Sequence, residues 1–174
     1  MLELAAGTYA VPHAGLNYVL ASDLRLPAGS RLRLRGENGA GKTTFLEHVL
    51  IPALRRRHRI LYLSQDTELQ RNTIRATLAL MGRTAPRGLA DMVAAWIEAA
   101  DCRDVIILDE FDKYLNDAQV QTLGLHRFSW AVQVSHLERA GERHEFAHEF
   151  NLHFRREGAG KPGVFLEAEQ LWPA

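Results

Sequence analysis

The stretch Gly36-Glu37-Asn38-Gly39-Ala40-Gly41-Lys42-Thr43-Thr44 constrains this chain more than any other. It fits G-x-x-x-x-G-K-[ST] without a gap, and its flanks are those the pattern needs. Upstream, Arg31-Leu32-Arg33-Leu34-Arg35 alternates charged and apolar residues with the period of a strand. Downstream, Phe45, Leu46, Val49 and Leu50 recur at helical spacing. Strand, glycine loop and helix in that order make a phosphate site. Glycines let backbone N–H groups turn inward around phosphate oxygens, and the helix N-terminus adds the positive end of its dipole. Lys42 is expected to reach the β- and γ-phosphates and the Thr43 hydroxyl to ligate Mg²⁺. Gly36, Asn38, Gly39, Ala40, Gly41 and Thr44 complete the cradle.

The rest of the chain reads as the sheet that such a loop requires. A strand is expected over 18–26, joined to the next by the turn Pro27-Ala28-Gly29-Ser30. Ile60-Leu61-Tyr62-Leu63 and Val105-Ile106-Ile107-Leu108 are short apolar runs of the kind buried strands show. Helices are expected over 73–81, 89–100, 117–123 and 138–149, and further strands over 130–134, 151–155 and 164–166. Continuous apolar strands alternating with helices imply an α/β fold with a mostly parallel sheet covered on both faces. Ligands of such sheets gather at the carboxyl ends of the strands.

Composition sets outer bounds. With 174 residues the chain is most simply one domain, and 47% apolar with 24% charged residues is a globular balance. Basic and acidic residues number 21 each, so no bulk field argues for nucleic acid or an anionic membrane. The single cysteine, Cys102, permits no internal disulfide and points to a reducing compartment. No run approaches 18 apolar residues, and Met1-Leu2-Glu3 does not open a signal peptide.

Asp109 and Glu110, at the tip of the 105–108 run, supply the second half of the site. A carboxylate there can hold Mg²⁺ opposite the Thr43 hydroxyl, and its neighbour can polarise an attacking water. Together these residues resemble the nucleotide-binding domain of the ATP-binding cassette (ABC) family, a P-loop NTPase, over residues 9 to 155. Residues 38–44 are similar to that family's Walker A loop, and Leu108-Asp109-Glu110 to its Walker B strand with a catalytic glutamate. Leu63-Ser64-Gln65-Asp66 resembles the Q-loop, whose glutamine senses the γ-phosphate and Mg²⁺. Thr73-Ile74-Arg75-Ala76-Thr77-Leu78-Ala79 resembles a stretch common in exporter cassettes. Val134-Ser135-His136 resembles the switch-histidine strand end. The resemblance implies an aromatic stacked on adenine, with Tyr9 the first candidate and Tyr18 the second.

The departures from that family are equally specific. Its L-S-G-G-Q signature caps the γ-phosphate of the opposite subunit, and here the position falls on Ala85-Pro86-Arg87-Gly88-Leu89. Only Gly88 matches, and Pro86 has no N–H to donate. Arg87 is either a charge offered to a phosphate across a dimer or a solvated loop arginine. Phe111 stands where the family prefers proline, and Asn116 where it prefers aspartate. Between Lys42 and Gln65 there is no room for the family's antiparallel insert. The helical subdomain, which receives a permease, shrinks to about residues 73–100.

The resemblance therefore implies one ABC-type ATPase domain over 1–174 that binds ATP with Mg²⁺ and hydrolyses it in a dimeric clamp. Lys42, Gln65, Glu110 and His136 are the expected catalytic residues, and Thr43, Asp109 and Gln65 the metal ligands. The implied partners are a second ATPase subunit and a membrane permease. The implied place is the cytoplasm, or the inner face of a membrane through that partner. A non-transport ATPase acting on nucleic acid or a regulatory partner is the alternative, as is a non-hydrolysing ATP-binding module. A P-loop kinase is disfavoured because no arginine-rich lid segment follows. Two other signals carry less. His144-Glu145-Phe146-Ala147-His148 fits the zinc pattern H-E-x-x-H, which on a helix puts both imidazoles on one face, but Gly158, Gly160, Pro162 and Gly163 separate it from Glu167, the residue at a third-ligand spacing. Arg55-Arg56-Arg57-His58-Arg59 could touch phosphates, but cations at a helix C-terminus also complement its dipole.

Overall fold

The structure, a computed structural model, describes residues 1–134 and 145–173. The short strand β1 (Leu2–Leu4) pairs antiparallel with β4 (Leu24–Leu26) in a two-stranded sheet of its own. β2 (Gly7–Val11) and β3 (Leu16–Leu20) form an antiparallel hairpin. The single strand expected over 18–26 is thus two strands in two sheets. Its interruption falls at Ala21-Ser22-Asp23, where the Asp23 carboxylate accepts the Ala6 N–H at 2.8 Å.

β5 (Ser30–Arg35) leads into the glycine loop, and the helix beyond it runs in three pieces. These are α1 (Lys42–Phe45), a π-helical turn (Leu46–Leu50) and α2 (Ile51–Leu54). Pro52 lacks an N–H and crowds the carbonyl four residues back. The widened turn, in which the Ile51 N–H bonds Leu46 O, accommodates it.

β6 (Ile60–Leu63) is followed by α3 (Thr67–Leu80), which begins six residues before the expected start. Asp66 caps it by accepting the Leu69 N–H at 3.0 Å. α4 (Leu89–Ala100), β7 (Val105–Asp109), α5 (Asp117–Thr122) and β8 (Trp130–Val134) lie where the sequence puts them. Arg59 donates to Ala100 O and Asp101 O, so the end of the basic run caps α4.

The helix expected over 138–149 has no counterpart in its described part. Residues 145–147 are bends and His148 already opens β9 (His148–Arg156). Strand pairing overrides local propensity here, because His148 registers with Ser30 and Glu149 with Arg31 on β5. The H-E-x-x-H pattern therefore lacks its helix, and its His144 lies outside the described residues. No group of three metal-ligating side chains forms among the described residues.

β10 (Gly163–Trp172) completes an eight-stranded sheet of order β2-β3-β10-β9-β5-β8-β7-β6. From β9 through β6 every pairing is parallel, whereas β10–β9 and β2–β3 are antiparallel. β7 shows why its sequence is apolar throughout. Val105 and Ile107 face one core, shared with Leu32, Leu34, Phe45, Leu50 and Leu54. Ile106 and Leu108 face the other, shared with Ile74, Leu78, Met92, Val93 and Ile97 of α3 and α4. The two helices counted as a reduced subdomain thus pack directly on β6 and β7. Among the described residues no helix is long and apolar enough to cross a membrane.

β5 holds one departure from simple alternation. Arg31 is 2% exposed, and its guanidinium pairs with Glu149 on the adjacent β9. It also lies 4.8 Å from the Phe146 ring centroid.

Candidate nucleotide site

The glycine loop rests on a buried aromatic floor. Rings of Tyr18, Phe45 and Phe154 sit 5.2 Å (Tyr18–Phe45), 5.3 Å (Phe45–Phe154) and 6.3 Å (Tyr18–Phe154) apart, in tilted or edge-on pairs. The Tyr18 hydroxyl donates to Gly41 O at 2.7 Å. Burial pushes its pKa up to about 12, which keeps it an O–H donor at neutral pH.

Two of the glycines are required by this closeness. A Cβ on Gly41, where φ is +92°, would lie 2.7 Å from the Tyr18 hydroxyl. One on Gly36 would lie 2.9 Å from Phe154 O, a backbone atom of β9. The loop is therefore held down at both ends, leaving Glu37, Asn38 and Gly39 exposed at its crest.

Lys42 is 6% exposed, and its ammonium donates to Gly36 O at 2.7 Å and Glu37 O at 2.9 Å. Burial pulls its pKa below the ordinary value, while the Glu110 and Asp109 carboxylates pull the other way. The Thr43 hydroxyl, one residue on, donates to Asp109 Oδ1 at 3.1 Å. Asp109 is fully buried at the end of β7, and burial raises its pKa.

Sequence reasoning missed the third member of this cluster, Tyr62 on β6. Its hydroxyl lies 3.3 Å from Asp109 Oδ2 and 3.0 Å from Glu47 Oε1, one helical turn beyond Thr43. The available signal was a lone phenol in an otherwise aliphatic strand. Burial also raises the Tyr62 pKa, with the Asp109 charge adding to it.

Glu110 has φ +52°, a left-handed conformation uncommon for a residue with a side chain. The Glu110 N–H donates to Val134 O at 2.8 Å, which ties this turn to the end of β8. Its carboxylate lies 3.2 Å from Lys113 Nζ. Backbone strain of this kind gathers at functional sites.

The remaining expected residues are placed as follows. Gln65 is exposed in the bend between β6 and α3, where its carbonyl accepts from the Tyr114 hydroxyl at 3.4 Å. His136 lies outside the described residues. Tyr9 is half-buried on β2, with its hydroxyl on Ala5 O. Tyr18 is fully buried under the loop, so it offers no ring face to a base. On the outer side of the loop, a cleft of about 550 Å³ opens between residues 36–40 and residues 154–156 and 158–159. Neither tyrosine lines it.

These donors suit Mg²⁺. A hydroxyl and a carboxylate 3.1 Å apart, beside an ammonium and the two crowded glycines Gly36 and Gly41, are oxygen groups able to ligate a hard cation. Burying the Asp109 carboxylate has a cost. With its folded pKa raised, Asp109 binds more protons in the native than in the unfolded state over the intervening pH window. Stability contributed below the unfolded pKa is lost as pH rises through the folded one. Asp109→Asn is accordingly expected to raise the metal-free thermal midpoint at pH 7. The gain should vanish near pH 3, below the ordinary aspartate pKa of about 3.9. Thermal scans across pH, without Mg²⁺, check this.

No protein-family model matches the chain, and no curated protein does. Among solved structures it is similar to the KaiC-like protein PH0186 of Pyrococcus horikoshii OT3. That match has 13% identity and a TM-score of 0.51, and covers 85% of this chain and 82% of the other. It also aligns with the flagellar accessory protein FlaH of Methanocaldococcus jannaschii at 16% identity and a TM-score of 0.42. The alignment covers 84% of this chain and 79% of that one. At such identities the first likeness is one of fold alone. Sheet order, loop and likeness agree: the chain has the α/β fold of the P-loop NTPases.

Proposed function

We propose that this chain is an ATPase domain that binds ATP with Mg²⁺ and hydrolyses it on closure against a second subunit. The observation that carries this reading is the Thr43–Asp109 contact, which joins the glycine loop to the strand-end carboxylate across β8. Thr43 and Asp109 would hold the Mg²⁺, with Tyr62 fixing the Asp109 carboxylate from behind. Bound there, the ion would supply charge neutralisation at the β- and γ-phosphate oxygens.

This chain's own groups do the rest. Lys42 exchanges its two loop carbonyls for phosphate oxygens, and the loop's amides complete the cradle. Glu110 accepts a hydrogen bond from the attacking water and takes its proton as the new O–P bond forms and the bond from the γ-phosphorus to the β–γ bridging oxygen breaks, releasing ADP and phosphate. Gln65 and His136 report the γ-phosphate. Positioning and fixed charge supply most of the acceleration in such reactions.

A dimer is part of the proposal because Lys42, Thr43, Asp109 and Glu110 approach a γ-phosphate from one subunit only. The degenerate signature at Ala85–Leu89, with exposed Arg87, is what this chain would offer across the interface. Specific ATPase activity is then expected to rise with protein concentration and to need Mg²⁺. Turnover per chain that is flat over a hundredfold dilution would remove the clamp while leaving the site.

Energising a permease is a second reading. It is favoured by Leu69, Leu80 and Met81, exposed large apolar residues on and just beyond α3, the helix that carries the exporter-like stretch. Co-purification with a multi-span membrane protein would support it.

A further inference from the structure

We propose that the nucleoside end of the bound nucleotide lies in the cleft between the glycine loop and the β9–β10 turn, against the Arg156 guanidinium, and not on an N-terminal aromatic. This rests on the reading of the loop as an ATP site and adds where the sugar and base go.

The sheet order sets the direction. Asp109 ends β7, which lies two strands to one side of β5, whereas β9 lies directly on the other side. The Lys42, Thr43 and Asp109 contacts mark the metal and γ-phosphate end on the β7 side. A triphosphate laid across the loop therefore sends its sugar and base toward β9. There the loop's outer face and residues 154–156 and 158–159 enclose about 550 Å³, within the size range of small-molecule sites.

One wall of this cleft is prepared for a flat heterocycle. Arg156 follows Phe154 on β9, and its guanidinium donates to Gly39 O at 3.4 Å and to Lys161 O at 3.0 Å. Those two bonds hold the planar group between the loop and the hairpin turn. A guanidinium so held stacks on the face of any base and carries positive charge beside the phosphates. Tyr9 is half-buried with its hydroxyl engaged, and Tyr18 is sealed beneath the loop.

The test compares Mg·ATP with Mg·tripolyphosphate, which shares the phosphates but has no nucleoside, by calorimetric titration of the full chain. Wild type is expected to bind ATP more tightly. Arg156→Met and the cleft-filling Ala159→Leu, both at exposed positions, should lower the ratio of the two affinities about tenfold. Tripolyphosphate binding shows that each variant is folded. Tyr9→Ala should leave the ratio as in wild type.

Equal wild-type affinity for the two ligands would overturn the proposal and leave the phosphate site standing. So would an unchanged ratio in both cleft variants, or a ratio lost in Tyr9→Ala. Binding of neither ligand by wild type would remove the ATP-site reading itself, and this inference with it.

Discussion

Replacing Glu110 by glutamine is expected to lower turnover by about 10²–10⁴-fold while ATP affinity stays within a few-fold of wild type. The substitution keeps the side chain's length and removes the charge that makes it a base. It also keeps the backbone problem unchanged, because glutamine meets the same steric conflict at φ +52°. A loss of activity therefore cannot come from relaxed geometry. Glu110→Gly is the instructive contrast. It relieves a strain of order 1–3 kcal/mol and should raise thermal stability while abolishing turnover. Steady-state hydrolysis with parallel ATP titration reads both variants. Full activity in Glu110→Gln would strip Glu110 of its catalytic role.

The largest expected effect on stability lies away from the site, at Glu149. Arg31 is 2% exposed and Glu149 14%, so both charges sit in a low-dielectric wall between β5 and β9. Glu149→Ala removes the carboxylate from a buried guanidinium and should cost about 3 kcal/mol. For a chain of this length that is roughly 6–12 °C in Tm. The apolar double variant Arg31→Met with Glu149→Leu should recover most of the loss, because it removes both desolvation costs together. Since β5 delivers the glycine loop, Glu149→Ala should also weaken ATP binding. Thermal denaturation of the three proteins decides the matter, and a single variant within 1 °C of wild type would contradict it.

Legibility in the sequence followed the range of the interactions involved. Strands β5, β6, β7 and β8 and helices α4 and α5 were readable because their patterns are local: apolar runs, helical spacing and bounding turn residues. The glycine loop was readable for the same reason, since its whole pattern lies within nine consecutive residues. Asp66 as the cap of α3 was also a local signal, and beginning the helix at Thr73 passed over it.

What stayed hidden depends on partners distant in the chain. Arg31 looked like the polar half of an alternating strand, because the carboxylate that lets it be buried lies 118 residues further on. The 138–149 segment carries helix-forming residues, yet its described end is drawn into β9 by pairing with β5. Tyr62 looked like core until the sheet order brought it against Asp109. The N-terminal tyrosines stand out in the sequence only as aromatics, and nothing local shows that Tyr18 is the floor of the loop.

Calorimetric titration of the full chain with Mg·ATP, for wild type and Lys42→Ala, tests the central claim most directly. Saturable one-site binding with Kd below about 1 mM is predicted, the usual range for such enzymes. It should weaken strongly without Mg²⁺ and be lost in Lys42→Ala. Absence of binding heat at millimolar Mg·ATP in wild type, or undiminished binding in Lys42→Ala, would contradict it.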